Sequence, residues 1–234
     1  MVLRGNSNMR MRRKHNLEAR IEACGELLLV RGAPCLNLKE AEQNVRALFD
    51  YKKIFGNGGP VELEVGCGNG GFIKELARRK PNVNFLCVEI CDNVILTAME
   101  RIREEGVQNV RFLNIPAEIL RCYLPEDSIE KIYLNFSTPL PEHSREKQRL
   151  TSPRFLKIYD ALLKRGGSIL QKTDSEDFFD YSMREMQRFG FQIECVTRDL
   201  HHSEYAKDNI VTEYERGFLE QGKCIFLLTA IKKN

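Results

Sequence analysis

The chain has 234 residues, 42% of them hydrophobic and 29% charged, with a net charge of +3 at pH 7. This size fits one globular domain with a large core, and no run approaches the roughly 18 apolar residues of a membrane-spanning helix. So small a net charge gives no global basic field, and overall charge therefore does not indicate a nucleic-acid partner.

Cysteine and histidine usage predicts a reduced, cytoplasmic protein without a bound metal. The eight cysteines are scattered, mostly within apolar runs, and no two form a C-x-x-C pair. Cysteine then serves as a small hydrophobic residue. The four histidines lack ligand spacing relative to the cysteines, so we predict no metal site. The basic N-terminal segment lacks the apolar core of a secretory signal, which agrees with a cytoplasmic location.

Residues 1–35 are predicted to form a basic N-terminal arm, with a helix around 17–29. Basic side chains cluster at 10–14, and a second basic group follows at 145–157. Such groups bind phosphate by counterion release, but a charged terminal run is equally typical of a solvated tail. The sequence leaves both interpretations open.

Residues 36–234 are predicted to form a single domain in which strands and helices alternate. After a helical pattern at 40–51 and a glycine-rich linker, the predicted elements are strand 61–65, helix 71–79, strand 84–89, a helix from Asp92 as N-cap to Gly106, strand 110–114, a short helix at 117–122, strand 130–135, helix 150–164 ended by Arg165-Gly166-Gly167, strand 168–172, helix 176–188, strand 191–196, an irregular stretch at 200–220 and strand 224–231. This alternation is typical of an α/β fold, a mostly parallel sheet with helices on both faces. The last two strands lack a long helix between them, so we expect an antiparallel strand at one edge.

The glycine-rich turn between strand 61–65 and helix 71–79 predicts a nucleotide pocket. Gly66, Gly68 and Gly70 let the backbone turn sharply and approach a ligand, and the following helix offers it unpaired N–H groups. The segment matches both the dinucleotide pattern G-x-G-x-x-G and the S-adenosylmethionine (SAM) pattern E-x-G-x-G-x-G. The glycines alone do not separate these two cofactors.

Two acidic residues at strand ends favour SAM. Glu64 precedes the first glycine by two positions; there it would repel a pyrophosphate but attract the cationic ammonium and sulfonium groups of SAM. Glu89 ends the next apolar strand, where an acid holds ribose hydroxyls in either cofactor. An NAD-dependent oxidoreductase is disfavoured by Glu64 and by the lack of a recognisable hydride-transfer site.

A second group of candidate residues follows strand 130–135, in the loop 135–141. The strand beside the glycine-loop strand delivers its last residues close to the reactive end of a bound cofactor. Pro139 and Pro141 stiffen this loop. A rigid strand exit without a catalytic role is the plainer interpretation of the prolines taken alone.

These motifs together resemble a known family, the bacterial tRNA (guanine-N7) methyltransferases, nearly end to end. The matching segments are the basic cluster at 10–14, the glycine loop with Glu64, Val88-Glu89, Tyr133-Leu134-Asn135-Phe136, Lys172-Thr173-Asp174 and Thr212-Glu213-Tyr214-Glu215. The last two motifs, in this order and spacing, are more specific than the glycine loop. The resemblance implies a Rossmann-like fold and methyl transfer from SAM to N7 of a guanine in tRNA, by a monomer or a homodimer.

The resemblance also implies roles for individual residues. The cofactor-binding positions are Glu64, Gly66, Gly68, Gly70, Glu89, Asn114, Pro116 and Ala117. The substrate-binding positions are Asn135, Glu142, Lys147, Arg149, Asp174, Thr212, Glu213, Tyr214 and Glu215. Thr138 and Asp174 take the catalytic positions, although the local sequence explains Asp174 equally well as the N-cap of helix 176–188.

The loop 135–141 departs from the family pattern N-F-x-D-P-W-P. Thr138 stands at the aspartate position, Leu140 at the tryptophan position, and Glu142 where the family has a basic run. After strand 110–114 the family has N-x-D, whereas this chain has Pro116 at the position of the acid. Two hypotheses follow: an enzyme of reduced activity, or a catalytically inactive paralogue that binds SAM and tRNA without methylating.

Overall fold

The computed structural model of the chain describes residues 13–32 and 48–233. The α-helices in these ranges are α1 (Leu17–Ala23), α2 (Tyr51–Phe55), α3 (Gly71–Arg79), α4 (Asp92–Glu104), α5 (Pro153–Leu162), α6 (Glu176–Phe189) and α7 (Glu213–Glu220). The strands are β1 (Leu28–Arg31), β2 (Val61–Val65), β3 (Asn84–Val88), β4 (Val110–Asn114), β5 (Ile129–Asn135), β6 (Leu163–Thr173), β7 (Gln192–Thr197) and β8 (Phe226–Ile231). Short 3-10 helices lie at Ala117–Cys122, His143–Gln148, Leu200–His202 and Glu204–Asp208.

The eight strands of the described ranges form one sheet in the order β1-β4-β3-β2-β5-β6-β8-β7. Neighbouring strands from β1 to β6 are parallel, whereas β8 runs antiparallel to both β6 and β7. The predicted α/β class, a mostly parallel sheet with an antiparallel edge, is confirmed. The chain runs outward from β2 through β3 to β4 and then crosses back to β5. Ligands bind at such a reversal, outside the carboxyl ends of the strands.

Helices cover both faces of the sheet, as the sequence predicts. One face carries α1, α3 and α4, whose apolar side chains such as Ile73 are fully buried. The other face carries α5 and α6, with side chains such as Phe155 in the core. In β3, Phe85 faces the first layer and Leu86 the second, which explains why its sequence is a nearly continuous apolar run. No helix in the described ranges is long and apolar enough to span a bilayer.

The N-terminal segment contains a strand that the sequence did not predict. α1 ends at Ala23, before the end of the predicted helix over 17–29, and its Leu17 and Ile21 are buried in the core. The chain then turns, and β1 pairs in parallel with β4 at the edge of the sheet. The predicted basic segment up to residue 12 and most of the predicted helix over 40–51 lie outside the described residues.

The connection between α5 and β6 also differs from the prediction. α5 ends at Leu162 and β6 begins at Leu163, so the helix predicted to run to 164 and to end at 165–167 is too long, and the predicted strand 168–172 begins too late. Leu163 pairs with Ile129 of β5, and the N–H of Gly166 donates to the carbonyl of Lys232 at 3.1 Å. Backbone pairing with strands on both sides therefore outweighs the local turn signal of two glycines.

The stretch 200–220, predicted to be irregular, contains α7. The Thr212 hydroxyl accepts from the N–H of Glu215 at 3.0 Å, and the Glu215 carboxylate accepts from the N–H of Thr212 at 3.3 Å. This is a capping box, and its T-x-x-E spacing is the sequence signal for the helix. A smaller correction concerns α4, whose N-cap is Cys91 and not the predicted Asp92.

Candidate active site

A cavity of about 830 Å³ opens at the carboxyl ends of the central parallel strands. Its walls come from the segments 64–69, 88–90, 115–118, 135–138 and 212–214. Parallel strands bring their carboxyl ends to one edge of a sheet, so segments far apart in the sequence meet there. The cavity therefore lies where the topology places a ligand, and it is the candidate active site.

The glycine loop borders this cavity with bare backbone. Gly66 and Gly68 have φ of 79° and 55°, and a Cβ added at either would meet no atom within 4 Å. A Cβ on Gly70 would instead lie 2.8 Å from the Cβ of Ala98, so this glycine allows α4 to pack closely on the loop. The predicted cofactor residues that line the cavity are Glu64, Gly66, Gly68, Glu89, Pro116 and Ala117.

Glu64 is a buried carboxylate with one oxygen left without a donor. The residue is 2% exposed, and its Oε1 accepts from Asn135 Nδ2 at 3.0 Å. No described residue pairs with Glu64 Oε2 or with Asn135 Oδ1, and both atoms are buried. Burial raises the pKa of Glu64 to about 8. A buried polar atom without a partner costs roughly 1–3 kcal/mol, so this pair suits a ligand that brings N–H donors and positive charge.

Glu89 is held between the glycine loop and the start of α4. Its Oε1 accepts from the N–H of Cys91 at 2.9 Å, and its Oε2 accepts from the N–H of Gly68 at 3.3 Å. Asn114 Nδ2 donates to the Glu89 carbonyl at 2.9 Å and does not itself line the cavity. Asn114 thus positions the end of β3, and the Glu89 carboxylate keeps lone pairs for ligand hydroxyls.

The loop after β5 holds its shape through an arginine as well as through its prolines. Phe136 and Leu140 both adopt left-handed backbone conformations, with φ of 51° and 44°. Arg149 Nε and Nη2 donate to the Leu140 carbonyl at 3.2 and 3.1 Å, and the guanidinium lies 4.4 Å from the centre of the Tyr181 ring. Arg149 therefore stabilises the strained loop and does not line the cavity, whereas the exposed Thr138 does.

Residues 212–214, which we call the lip, close one side of the cavity. The lip leads into α7, where Glu215 is fully buried. The Glu215 carboxylate accepts from Lys172 Nζ at 2.7 Å and pairs with His201 Nε2 at 2.8 Å. Lys172 is 2% exposed, and burial lowers the pKa of this lysine. Glu215 anchors the lip from behind and is not part of the cavity wall, while Tyr214 stands at the rim with 66% of its surface exposed.

Three more predicted substrate or catalytic residues lie away from the cavity wall. Asp174 Oδ2 pairs with Lys223 Nζ at 2.9 Å. The alternative prediction that Asp174 caps α6 is wrong, because Ser175 is the N-cap and accepts from the backbone there. Glu142 and Lys147 are exposed on the segment that leads into and forms the second 3-10 helix.

The cavity wall also contains residues that sequence reasoning did not assign to the site. They are Asn69, Phe72, Ile90, Phe136, Arg145 and Gln148, among others. Ile90 is 68% exposed directly after Glu89, and an apolar residue following a strand-end acid is a usable signal for a ligand contact. Arg145 belongs to the second basic group. Within the two described ranges, no group of three or more His, Cys, Asp or Glu side chains is placed to hold a metal ion.

Comparison with known proteins gives consistent matches across the domain. A family model described as "Putative methyltransferase" matches residues 58–228. The tRNA (guanine-N(7)-)-methyltransferase of Lachnoclostridium phytofermentans is 40% identical over 183 residues, which cover 78% of this chain and 86% of that protein. The enzyme of the same name from Bacillus subtilis is 39% identical over 181 residues, covering 76% of this chain and 84% of that protein.

Solved structures match the fold at low sequence identity. The 16S rRNA methyltransferase KamB superimposes with a TM-score of 0.61 at 16% identity, covering 82% of this chain and 98% of that chain. A structure described as an antibiotic related methyltransferase gives a TM-score of 0.58 at 18% identity, covering 87% of this chain and 97% of that chain. At these identities the likeness concerns the fold alone, a Rossmann-like sheet with its crevice at the strand ends.

Proposed function

Because this chain belongs to the family of tRNA (guanine-N7) methyltransferases, we propose that it transfers a methyl group from SAM to N7 of a guanine in tRNA. The observation that carries this proposal is the buried Glu64–Asn135 pair beside the open glycine loop, which leaves two acceptor oxygens for a cationic ligand. A dinucleotide would bring a pyrophosphate to the same place, and a buried carboxylate would oppose that anion.

The cavity residues fit SAM in three places. The Glu64–Asn135 pair would accept N–H groups of the methionine ammonium, and Glu89 would accept the ribose hydroxyls. Ile90 and Ala117 would contact the adenine ring with apolar surface. When bound, SAM supplies an electrophilic methyl group on a cationic sulfur. The protein therefore has to hold SAM and the guanine in line and keep water out.

Guanine N7 carries a lone pair and no proton, so its methylation needs no strong general base. Catalysis then comes from positioning, because N7, the methyl carbon and the sulfur must lie on one line. A guanine inside folded tRNA reaches such a cavity only when it leaves its stack, and a polar loop must then hold its edge. Thr138, Arg145 and Tyr214 line the cavity at places suited to this contact.

Thr138 is the residue of the β5 loop that we assign to the guanine edge. Its hydroxyl makes a neutral hydrogen bond where a carboxylate would make a charge-assisted one, a difference of about 1–2 kcal/mol. Such a difference lowers a rate roughly 5- to 30-fold, which slows catalysis without abolishing it. Asp174 would have to leave its pair with Lys223 to reach the base.

Recognition of tRNA is assigned to basic residues around the cavity mouth. Arg145 lies on the cavity wall, and the exposed Lys147 belongs to the same 3-10 helix. The basic cluster at 10–14, most of which lies outside the described residues, would add phosphate contacts by counterion release. A tRNA substrate also agrees with a cytoplasmic location.

The proposal is tested by methylation of tRNA that lacks N7-methylguanine. The purified full-length protein is incubated with this tRNA and SAM carrying a labelled methyl group, and the modified base is identified by mass spectrometry after digestion. We expect N7-methylguanine in the tRNA after incubation. Thr138→Asp should raise turnover several-fold if weak binding of the guanine edge limits the rate. Thr138→Val, which has no hydroxyl, is the control.

Two other outcomes would indicate either that Glu142 binds the guanine in place of Thr138 or that the protein does not methylate. If Glu142 has replaced the family aspartate from farther along the loop, Glu142→Ala lowers turnover and Thr138→Asp changes little. If the protein binds SAM and tRNA but transfers no methyl group in any variant, the chain is the binding-only paralogue and the proposed activity is wrong.

A further inference from the structure

One carboxylate joins the lip to the glycine loop although 144 residues separate them in the sequence. Glu213 Oε1 accepts from Arg101 Nη2 of α4 at 2.7 Å, and its Oε2 accepts from Asn69 Nδ2 of the glycine loop at 3.5 Å. The Arg101 guanidinium lowers the pKa of Glu213, so the carboxylate is held in its charged form. The lip, the glycine loop and α4 therefore meet at Glu213.

The ion pair lies directly on the first turn of α3. A Cβ added at Gly71 would be 3.0 Å from Arg101 Nη1 and 3.7 Å from Glu213 Oε1. Gly71 is not among the residues with positive φ, so glycine here provides space for the pair and not an unusual backbone conformation. Gly71 itself lines the cavity, together with Asn69 and Phe72, so the pair lies against the same backbone that faces a bound cofactor.

The other side of the lip is fixed independently of the cofactor loop. Glu215, two residues after Glu213, is buried against Lys172 and His201. Between these two anchors the lip presents Tyr214 at the cavity rim, on the side open to a large substrate. Glu213 therefore links the half of the cavity that faces the cofactor to Tyr214, the residue that faces the substrate.

We propose that Arg101 and Glu213 are positioning residues that couple the two halves of the site, so that a bound cofactor strengthens tRNA binding through the lip. The inference rests on the proposed function. A bound cofactor restricts the motion of the glycine loop, including Asn69 and Gly71. Through the Arg101–Glu213 ion pair, residues 212–214 are then held in place as well. Coupling of this kind is reciprocal, so tRNA strengthens cofactor binding by the same factor.

The coupling is measured as a ratio of two affinities of the full-length protein. The dissociation constant of tRNA is determined with and without saturating S-adenosylhomocysteine, which fills the cofactor site without reacting. We expect tRNA to bind about fivefold more tightly with the cofactor product present, the factor that a partly exposed ion pair can contribute. In Glu213→Gln and in Arg101→Gln the ratio should fall close to one.

A matched control and a rescue separate coupling from a general loss of structure. Arg103 lies two residues farther along α4, and its Nη1 donates to the Ala23 carbonyl at 2.8 Å, away from the lip. Arg103→Gln should keep the wild-type ratio. The double variant that combines Arg101→Glu with Glu213→Arg should regain part of the ratio, which a damaged fold would not do.

The outcomes distinguish this inference from the proposed function. If the wild-type protein methylates tRNA but its tRNA affinity is the same with and without S-adenosylhomocysteine, the coupling is refuted and the function stands. The same holds if Glu213→Gln and Arg101→Gln keep the wild-type ratio. If the wild-type protein neither binds nor methylates tRNA, the proposed function is overturned, and this inference with it.

Discussion

We predict that SAM binding releases a proton from Glu64. In the ligand-free protein, burial raises the pKa of this carboxyl to about 8, so it is protonated at neutral pH. A cationic ammonium placed at the unpaired Glu64 Oε2 favours the charged carboxylate, and the proton then leaves. Binding at pH 6.5 should therefore release about one proton per SAM bound.

The size of this effect follows from the difference between the ordinary pKa of a glutamate carboxyl and the pKa of Glu64 in the folded protein. A rise from the ordinary 4.5 to about 8 corresponds to roughly 5 kcal/mol of unfavourable charge burial, which the ligand has to offset. Below pH 8 the apparent affinity for SAM should weaken by about tenfold per pH unit, because a smaller fraction of Glu64 is ionised. Above pH 8 it should level off and then fall, since the ligand's own amino group has a pKa of about 8.

The assay is isothermal titration calorimetry at pH 6.5 in two buffers of different ionisation enthalpy, in which a released proton changes the observed heat. Glu64→Gln should bind SAM about 5- to 30-fold more weakly at pH 8, where a charge-assisted bond becomes a neutral one, and should release no proton. Glu89→Gln is the control: it removes the ribose acceptor from the same cavity but keeps the Glu64 carboxyl, and we expect weaker binding with proton release still present. Heats that do not depend on the buffer in the wild-type protein would refute the assignment of the ammonium to Glu64.

The same carboxyl predicts a pH effect on ligand-free stability. Between pH 4.5 and about 8 the unfolded chain ionises Glu64 while the folded protein keeps it protonated, so the free energy of unfolding falls as pH rises through this range. Glu64→Gln removes this pH-dependent decrease in the free energy of unfolding. The variant should therefore show a higher Tm than the wild-type protein at pH 8.5 and nearly the same Tm at pH 5.

Three further predictions concern the rest of the site. Glu89→Ala should weaken SAM binding by tenfold or more, because the ribose hydroxyls and the N–H of Gly68 lose a charged acceptor; an affinity within about twofold of wild type would show that the pocket is misassigned. Tyr214→Ala should lower kcat/KM for tRNA by about tenfold, since a base stacked on an exposed ring gains roughly 1–3 kcal/mol, whereas Tyr214→Phe should keep the wild-type value. Equal values of kcat/KM for both variants would show that Tyr214 does not stack on a base. Deletion of residues 1–14 should reduce the salt dependence of tRNA binding and leave SAM affinity unchanged, and an unaltered slope would make the segment a solvated tail.

The sequence by itself predicted the part of the site that depends on neighbours in the chain. Apolar runs of strand length, followed by glycines and an amphipathic helix, place Gly66 and Gly68 at the end of β2, and the structure has them there with left-handed backbone angles. Glu64 and Glu89 end two such runs, and the parallel register of β2 and β3 brings both to one cavity. These features follow from local conformational preference and strand periodicity, which a single sequence contains.

The tertiary structure decided how the charged side chains are used. Arg149 belongs to a basic group typical of RNA binding, yet it holds the Leu140 carbonyl, and the buried Glu215 pairs with Lys172 behind the lip. Asp174 pairs with Lys223, and Glu213 with Arg101. Each of these partners lies on another element of the chain. Which charges meet is settled only when helices and strands pack, because an ion pair depends on distance in space and leaves no periodic signal along the sequence.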